Sequence, residues 1–232
     1  MPIDSVEYLD LAQDILQSFV PPAASFDPNS AWSHRYKILT LVSGTGVRPT
    51  NRIGGTLKIE RSPRNGGGSD LKVEYVKTTQ FAGTHKIAAQ LTCAGDPLAA
   101  PLSWSLEFAA CPPPHGPELT SQKSLSGSHL PAKPPHTTSW SLFEAVQRMP
   151  PREGPALRFT LFDPCDVPKP NQVLSFYKTA QLAGRWPGAP SMLIHGFLQI
   201  GEGISPQVYW VDEKGRILFL IAGIDAYVLE SS

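Results

Sequence analysis

A chain of 232 residues that is 41% hydrophobic and 17% charged can bury a sizeable core and lacks the composition of a disordered segment. Its 20 Lys plus Arg balance 20 Asp plus Glu, so no net field draws it to nucleic acid or to an anionic membrane surface. Proline, at 24 residues, is well above ordinary usage and favours turns and strands over long helices.

No apolar run approaches the roughly 20 residues of a membrane span, and residues 1–20 lack the basic, apolar and small-residue pattern of a signal peptide. The expectation is a chain without a membrane span, either cytoplasmic or a mature periplasmic form. Cys93, Cys111 and Cys165 have no metal-ligand spacing, and the expected hairpin register keeps Cys93 and Cys111 apart. All three are expected to be free thiols, and no motif calls for a cofactor.

The chain opens with Asp4-Ser5-Val6-Glu7, a capping-box-like start, followed by Tyr8, Leu9, Ala12, Ile15, Leu16 and Phe19 at helical spacing. Pro21-Pro22 ends this expected helix, whose apolar stripe suits a cover for a sheet. Strands are expected at Trp32–Val42, Ile53–Arg61, Leu71–Thr79, Gly83–Cys93 and Leu102–Ala110, each from alternation of apolar and polar positions. Ser62–Asp70, with three consecutive glycines, reads as a loop and not a phosphate cradle, since no helix or Gly-Lys-Ser/Thr follows.

From residue 111 to 138 seven prolines are interspersed with Ser, Thr and Gly, with little that is apolar. This reads as a surface excursion or linker within one domain spanning 1–232. Its His115, His129 and His136 are too widely spaced for a metal site. A second short helix is expected at Ser139–Arg148, with Ser141 and Glu144 as its capping box and Leu142, Phe143, Val146 and Met149 as its buried stripe. Strands at Ala156–Phe162, Val173–Ala180 and Met192–Ile200 follow, then a hairpin from Gln207 to Ile221 and a last strand at Ala226–Glu230.

The hairpin is the strongest local signal. Asp212-Glu213-Lys214-Gly215 suits a type I turn closed by a left-handed glycine, which sets Val211 opposite Ile217, Trp210 opposite Leu218, Tyr209 opposite Phe219 and Val208 opposite Leu220. Both faces are then apolar, and both need cover. The fold class that follows is mainly β: a strongly curved antiparallel sheet or incomplete β-barrel with two short covering helices.

Catalytic signatures such as G-x-S-x-G, H-E-x-x-H or a dinucleotide fingerprint are absent. What stands out is polar residues on apolar strand faces. His195 lies between Leu193 and Phe197 on one face, and Tyr209 and Tyr177 come from other strands of the same half. His34 and Tyr36 share a face of the first strand. Together they form a candidate ligand-binding set of His195, Tyr209, Tyr177, Phe197, His34 and Tyr36, with no catalytic residue assigned. Glu202, flanked by glycines, reads as a turn residue, and the tryptophans read as packing before stacking platforms.

The segments Y-W-V-D-E-K-G-R-I-L and G-T-L-K-I-E-R resemble the closing strands of LolA-like curved antiparallel sheet proteins of the bacterial envelope and neighbouring families of unknown function. The resemblance implies a sheet wrapped round a helix or an apolar ligand. The leading functional expectation is a non-catalytic binding protein holding an apolar or amphipathic small molecule in a concave sheet. Two alternatives stay open: a lyase or hydrolase acting on a carbohydrate-like substrate, and an assembly protein using a sheet edge or the proline-rich stretch.

Overall fold

The computed structural model describes residues 22, 25–40, 52–79, 83–111, 121–128, 135–182 and 191–230. The first expected helix, Asp4–Phe19, lies outside them, as do Cys111's side chain, His115 and His129. Thirteen strands form one sheet: β1 (Trp32–Thr40), β2 (Arg52–Pro63), β3 (Ser69–Thr79), β4 (Gly83–Cys93), β5 (Pro101–Cys111), β6 (Ser121–Ser128), β7 (His136–Thr138), β8 (Leu157–Asp163), β9 (Val167–Leu182), β10 (Met192–Ile200), β11 (Gln207–Val211), β12 (Ile217–Ala222) and β13 (Asp225–Leu229). One helix, α1 (Ser141–Gln147), completes the described elements.

The strand order is β6-β5-β4-β3-β2-β1-β13-β12-β11-β10-β9-β8-β7. Two antiparallel meanders, one from each half of the chain, are thus joined where β1 pairs with β13. All pairings are antiparallel except β7 with β8, and the sheet remains open between its end strands. One-residue register shifts in several pairs, among them β1/β2, β4/β5, β9/β10 and β11/β12, mark bulges, which bend strands and increase twist.

These bulges correct the register expected for the final hairpin. In the final hairpin Val211 does face Ile217, but Trp210 faces Phe219 and Tyr209 faces Leu220, because Leu218 is the extra residue. Alternation from the turn outward cannot foresee an inserted residue, and each slip of one exchanges the faces beyond it. In β2 the shift leaves Gly54 unpaired and turns Ile53 outward, where it is 70% exposed. The expectation that the hairpin is buried on both faces holds for Tyr209 and Leu220 on one side and Trp210 and Phe219 on the other.

α1 lies inside the curve of the sheet. Every one of its residues is buried, including Glu144 and Gln147, so it is a core element and not a cover laid over one face. Phe143 makes edge-to-face contacts with Tyr36 of β1, Tyr209 of β11 and Tyr227 of β13, at centroid separations of 5.3, 6.1 and 6.4 Å. The pairing Ile38–Tyr227–Leu220–Tyr209–Phe197–Phe176 runs across six strands as one row of that same inner face.

The expected capping box does not form. Trp140 is the N-cap residue and makes no side-chain cap bond, while Thr138 Oγ1 accepts from the Ser141 backbone N–H at 3.1 Å. Glu144 turns instead to β2 and β3. Its carboxylate accepts from Arg61 Nε at 2.9 Å and from Ser69 Oγ at 2.5 Å, with Glu144 0% and Arg61 5% exposed. Arg61 also donates to the carbonyls of Asn29 and Ser30, so the ion pair is hydrogen-bonded on both sides. The expected excursion at 111–138 is also corrected in its described parts: Ser121–Ser128 extends the sheet beyond β5, and His136–Thr138 is a fully buried strand.

The hairpin turn behaves as its residues dictate. Gly215 has φ +84°, and an alanine Cβ there would sit 2.4 Å from the Gln147 carbonyl oxygen at the end of α1. Gly66, in the β2–β3 loop, has a similar φ of +89° but open space around it. Gly66→Ala is expected to cost about 1 kcal/mol and Gly215→Ala about 3 kcal/mol in urea unfolding. Equal costs would mean that the hairpin turn does not press on the helix.

Candidate functional site

The wrapped helix does not fill the sheet. At its N-terminal end a cavity of about 390 Å³ remains between the two meanders. Tyr75 of β3 and Ile87 of β4 form one wall, Trp140 and Phe143 the floor, and Tyr209, Leu220 and Tyr227 the opposite wall. Strand alternation explains the set: Tyr75 follows Leu71 and Val73 on the inner face of β3, and Tyr227 and Leu220 are direct partners. The rim is polar, with Ser139, Asp163, Lys169, Ser205 and Gln207.

Charge at the rim is internally balanced. Lys169 Nζ donates to Asp163 Oδ2 at 2.5 Å, and Ser139 Oγ donates to Asp163 Oδ1 at 2.8 Å. A second pair, Lys77 with Asp225, sits on the strands next to the Tyr227 wall. Burial pushes the Tyr75 phenol up to about 12 and holds the Tyr209 and Tyr227 phenols well above their ordinary range. At neutral pH these groups are neutral hydrogen-bonding partners. They are far from the poised acidity that a general base or acid needs. Tyr209 shares its one hydroxyl proton between Gln199 Oε1 and Gln207 Oε1, both at 3.2 Å.

Of the residues singled out in the sequence, only Tyr209 lines this cavity. Phe197 is sealed against Phe176, ring centroids 5.9 Å apart. His195, 8% exposed, lies 3.0 Å through Nδ1 from Thr179 Oγ1 and is not part of the cavity wall. Tyr177 sits at the β9 bulge with Lys178 Nζ 5.4 Å from its ring centre. His34 and Tyr36 do come together, 6.2 Å between rings, but at the C-terminal end of α1.

There His34 is structural. Its Nε2 donates to Gln147 Oε1 at 3.0 Å, and the same oxygen accepts from the Ile217 backbone N–H at 3.2 Å. Trp32 stacks on the imidazole at 4.6 Å, and Tyr36 donates to the Ile217 carbonyl at 3.3 Å. Burial drives the His34 imidazole down to about 4, only partly opposed by Gln147 Oε1 and the Ser33 carbonyl, which accept together only from a protonated ring. A neutral histidine held this way ties the final hairpin to the helix.

Tyr75 and Tyr227 line the cavity without standing out in the sequence, whereas Phe143 belongs to the expected buried stripe of the helix and Trp140 to the tryptophans read as packing. Their inward orientation was readable from alternation, but their convergence depends on β1 meeting β13, for which the sequence carries no local signal. Among the described residues no group of three His, Cys, Asp or Glu side chains is placed to hold a metal ion. Cys93 and Cys165 are buried, and burial pushes both thiols up to about 12, which makes them poor nucleophiles. No described helix is long and apolar enough to cross a membrane.

A larger trough of about 910 Å³ lies along β1–β5, lined by Glu60, Lys72, Gln90 and Ser105 and reached by Trp32 and Trp104. It is open to solvent, and its charges are already engaged: Lys58 with Glu60 at 2.8 Å and Lys72 with Glu74 at 3.1 Å. The convergence of aromatic side chains, with a few polar groups at the rim, favours the inner cavity as the binding site. Comparison with protein-family models, with curated proteins and with solved structures finds no match, so the functional reading rests on this geometry.

Proposed function

We propose that the protein is a non-catalytic binding protein that holds an apolar or amphipathic small molecule in the cavity between its two meanders. The observation that carries this reading is the combination of five aromatic side chains in the walls with a charge-balanced polar rim, in a space of about 390 Å³. That volume falls within the range of small-ligand sites, and the division into apolar walls and a few polar groups is their usual chemistry. The reading is in keeping with the apolar ligand that the LolA-like resemblance implies, but it moves that ligand from His195 to the α1 end of the sheet.

The catalytic alternative has less support. His195 bonds Thr179 away from the cavity, and the cavity phenols are too weakly acidic to move protons at neutral pH. The test is fluorescence titration with the neutral dye N-phenylnaphthylamine. Ser205, exposed at the rim, is replaced by tryptophan to plug the mouth. Saturable single-site binding is expected, weakened at least about tenfold in Ser205→Trp, a loss of about 1.4 kcal/mol. Equal binding by both proteins, with equal thermal stability, refutes the cavity as the site.

A further inference from the structure

Resting on the cavity as the binding site, we infer that its ligand donates a hydrogen bond, from a hydroxyl or an N–H group on an otherwise apolar frame, to the side-chain oxygen of Gln207 at the rim. A run of side-chain amides behind the cavity wall carries this, because each donor and acceptor in it is fixed by its neighbour.

The run starts at the backbone carbonyls of Pro170 and Glu202, which can only accept. Gln172 Nε2 lies 2.9 Å from the first and 3.0 Å from the second, so this end of the amide must be the nitrogen. Its Oε1 accepts from Gln199 Nε2 at 3.2 Å, which leaves Gln199 Oε1 facing the Tyr209 hydroxyl, also at 3.2 Å. Turning either amide over would set oxygen against oxygen. Both glutamines are 0% exposed, so bulk water does not reach such a contact to relieve it. Gly201 adds to the confinement, since a Cβ there would lie 2.4 Å from the Gln172 amide.

Tyr209 has one proton and a second amide within 3.2 Å, that of Gln207. Were the proton given to Gln207, Gln199 Oε1 would be buried without a donor, and a buried acceptor left unpaired costs more than the bond gained outside. The proton therefore serves Gln199, and the Tyr209 oxygen accepts from Gln207. A half-turn about the last bond of Gln207 exchanges its oxygen and nitrogen without a change of shape, and it places Nε2–H on Tyr209 and Oε1 outward. Gln207 begins β11 on the same inner face as Tyr209, is half-buried, and lines the cavity with it. The outer atom of its amide meets no partner among the described residues and is not sealed from solvent.

The rest of the rim fits a ligand that donates. Asp163 already accepts from Lys169 Nζ and Ser139 Oγ, whereas Gln207 Oε1 has no donor among the described residues. A ligand hydroxyl or N–H supplies one. It also extends a run of hydrogen bonds that all point toward the Glu202 carbonyl, in which each bond polarises the next. A ketone or ether of the same shape sets oxygen against oxygen at this point.

The pair 2-decanol and 2-decanone tests this, since the two share a skeleton and only the alcohol donates. Calorimetric titration of the full chain is expected to show the alcohol binding about five- to tenfold more tightly, as one net hydrogen bond allows. Gln207→Met keeps a side chain of similar length and removes the amide, and there the preference is expected to vanish through loss of alcohol affinity. Tyr209→Phe removes the hydroxyl that holds the Gln207 amide in one orientation. The freed amide can turn its nitrogen to the ketone, and the preference is expected to fall below about twofold. A Gln207 that served only as wall would leave the preference alike in all three proteins. Equal affinities in the parent, a preference for the ketone, or an alcohol preference that survives Gln207→Met or Tyr209→Phe overturns the inference. Ser205→Trp separates that failure from failure of the cavity reading. If the two ligands bind equally and Ser205→Trp weakens both, the cavity stands and the donor assignment falls. If neither binds, the cavity reading and the inference fall together.

Discussion

Glu144→Ala is expected to destabilise the protein by about 3–5 kcal/mol in urea unfolding at neutral pH. The carboxylate is 0% exposed and accepts from both Arg61 and Ser69, with Arg148 Nε a further 3.8 Å away. Removing it leaves the Arg61 guanidinium buried against the helix with no counter-charge, and that desolvated charge is the source of the cost. The pair itself need not be strongly stabilising. Replacing both partners by apolar residues, as in Arg61→Met with Glu144→Leu, is therefore expected to recover most of the loss. A single-variant cost below about 1 kcal/mol would show that water reaches Arg61 and that the helix is not held inside the sheet as described. The same contact fixes the start of α1, and through it the positions of Trp140 and Phe143 in the cavity floor.

Acidification gives the second large effect. His34 has an ordinary imidazole value of 6.5 that burial lowers to about 4 in the fold. Above about pH 6.5 the ring is neutral in both folded and unfolded chains, and its contribution is constant. As pH falls through 6.5 the unfolded chain takes up a proton that the folded one refuses, so stability declines until about pH 4, where both are protonated. At about 1.4 kcal/mol per pH unit, the gap between 6.5 and about 4 caps this loss at about 3 kcal/mol. His34→Phe preserves an aromatic ring against Trp32 and Tyr36 while removing the titration. Its lower baseline does not matter, because the comparison is of slopes: the variant's stability is expected to be flatter than the parent's between pH 6.5 and 4. An unchanged slope would place the acid sensitivity elsewhere.

Local patterns carried the strands well and the assembly poorly. In β1 the alternation of Trp32, His34, Tyr36 and Ile38 against Ser33, Arg35 and Lys37 appears in the fold as strictly alternating burial from 32 to 38. The Asp212–Gly215 turn forms as its residues dictate, with Gly215 donating to the Asp212 carbonyl at 2.9 Å. The extra residue Leu218 was not legible, because a bulge in an apolar run leaves the hydrophobic pattern apolar in either register. Glu144 misled for a different reason. Its spacing from Ser141 satisfies the capping-box pattern, but a carboxylate at that position also reaches a buried arginine, and Arg61 became visible as its partner only when β2 was folded over the helix. The one available hint was Arg61 falling in step with Leu57 and Ile59 on the inner face of β2.

The site shows the same limit. Tyr209 was legible as an inward tyrosine, whereas His195 drew attention as a polar residue in an apolar strand and proved to be satisfied by Thr179 on the neighbouring strand. Tyr75 and Tyr227 belong to strands three places apart in the sheet order, and they line one cavity only because β1 and β13 join the two meanders.

The most direct measurement uses the five tryptophans as reporters. In a ¹⁵N-edited proton NMR spectrum each contributes one indole N–H signal, and Trp140→Phe identifies the one from the cavity floor. On titration with N-phenylnaphthylamine the Trp140 signal is expected to move with the bound fraction while those of Trp32 and Trp104, which border the outer trough, stay in place. Movement of the Trp32 or Trp104 signal with Trp140 unchanged would contradict it and assign binding to the outer face of β1–β5.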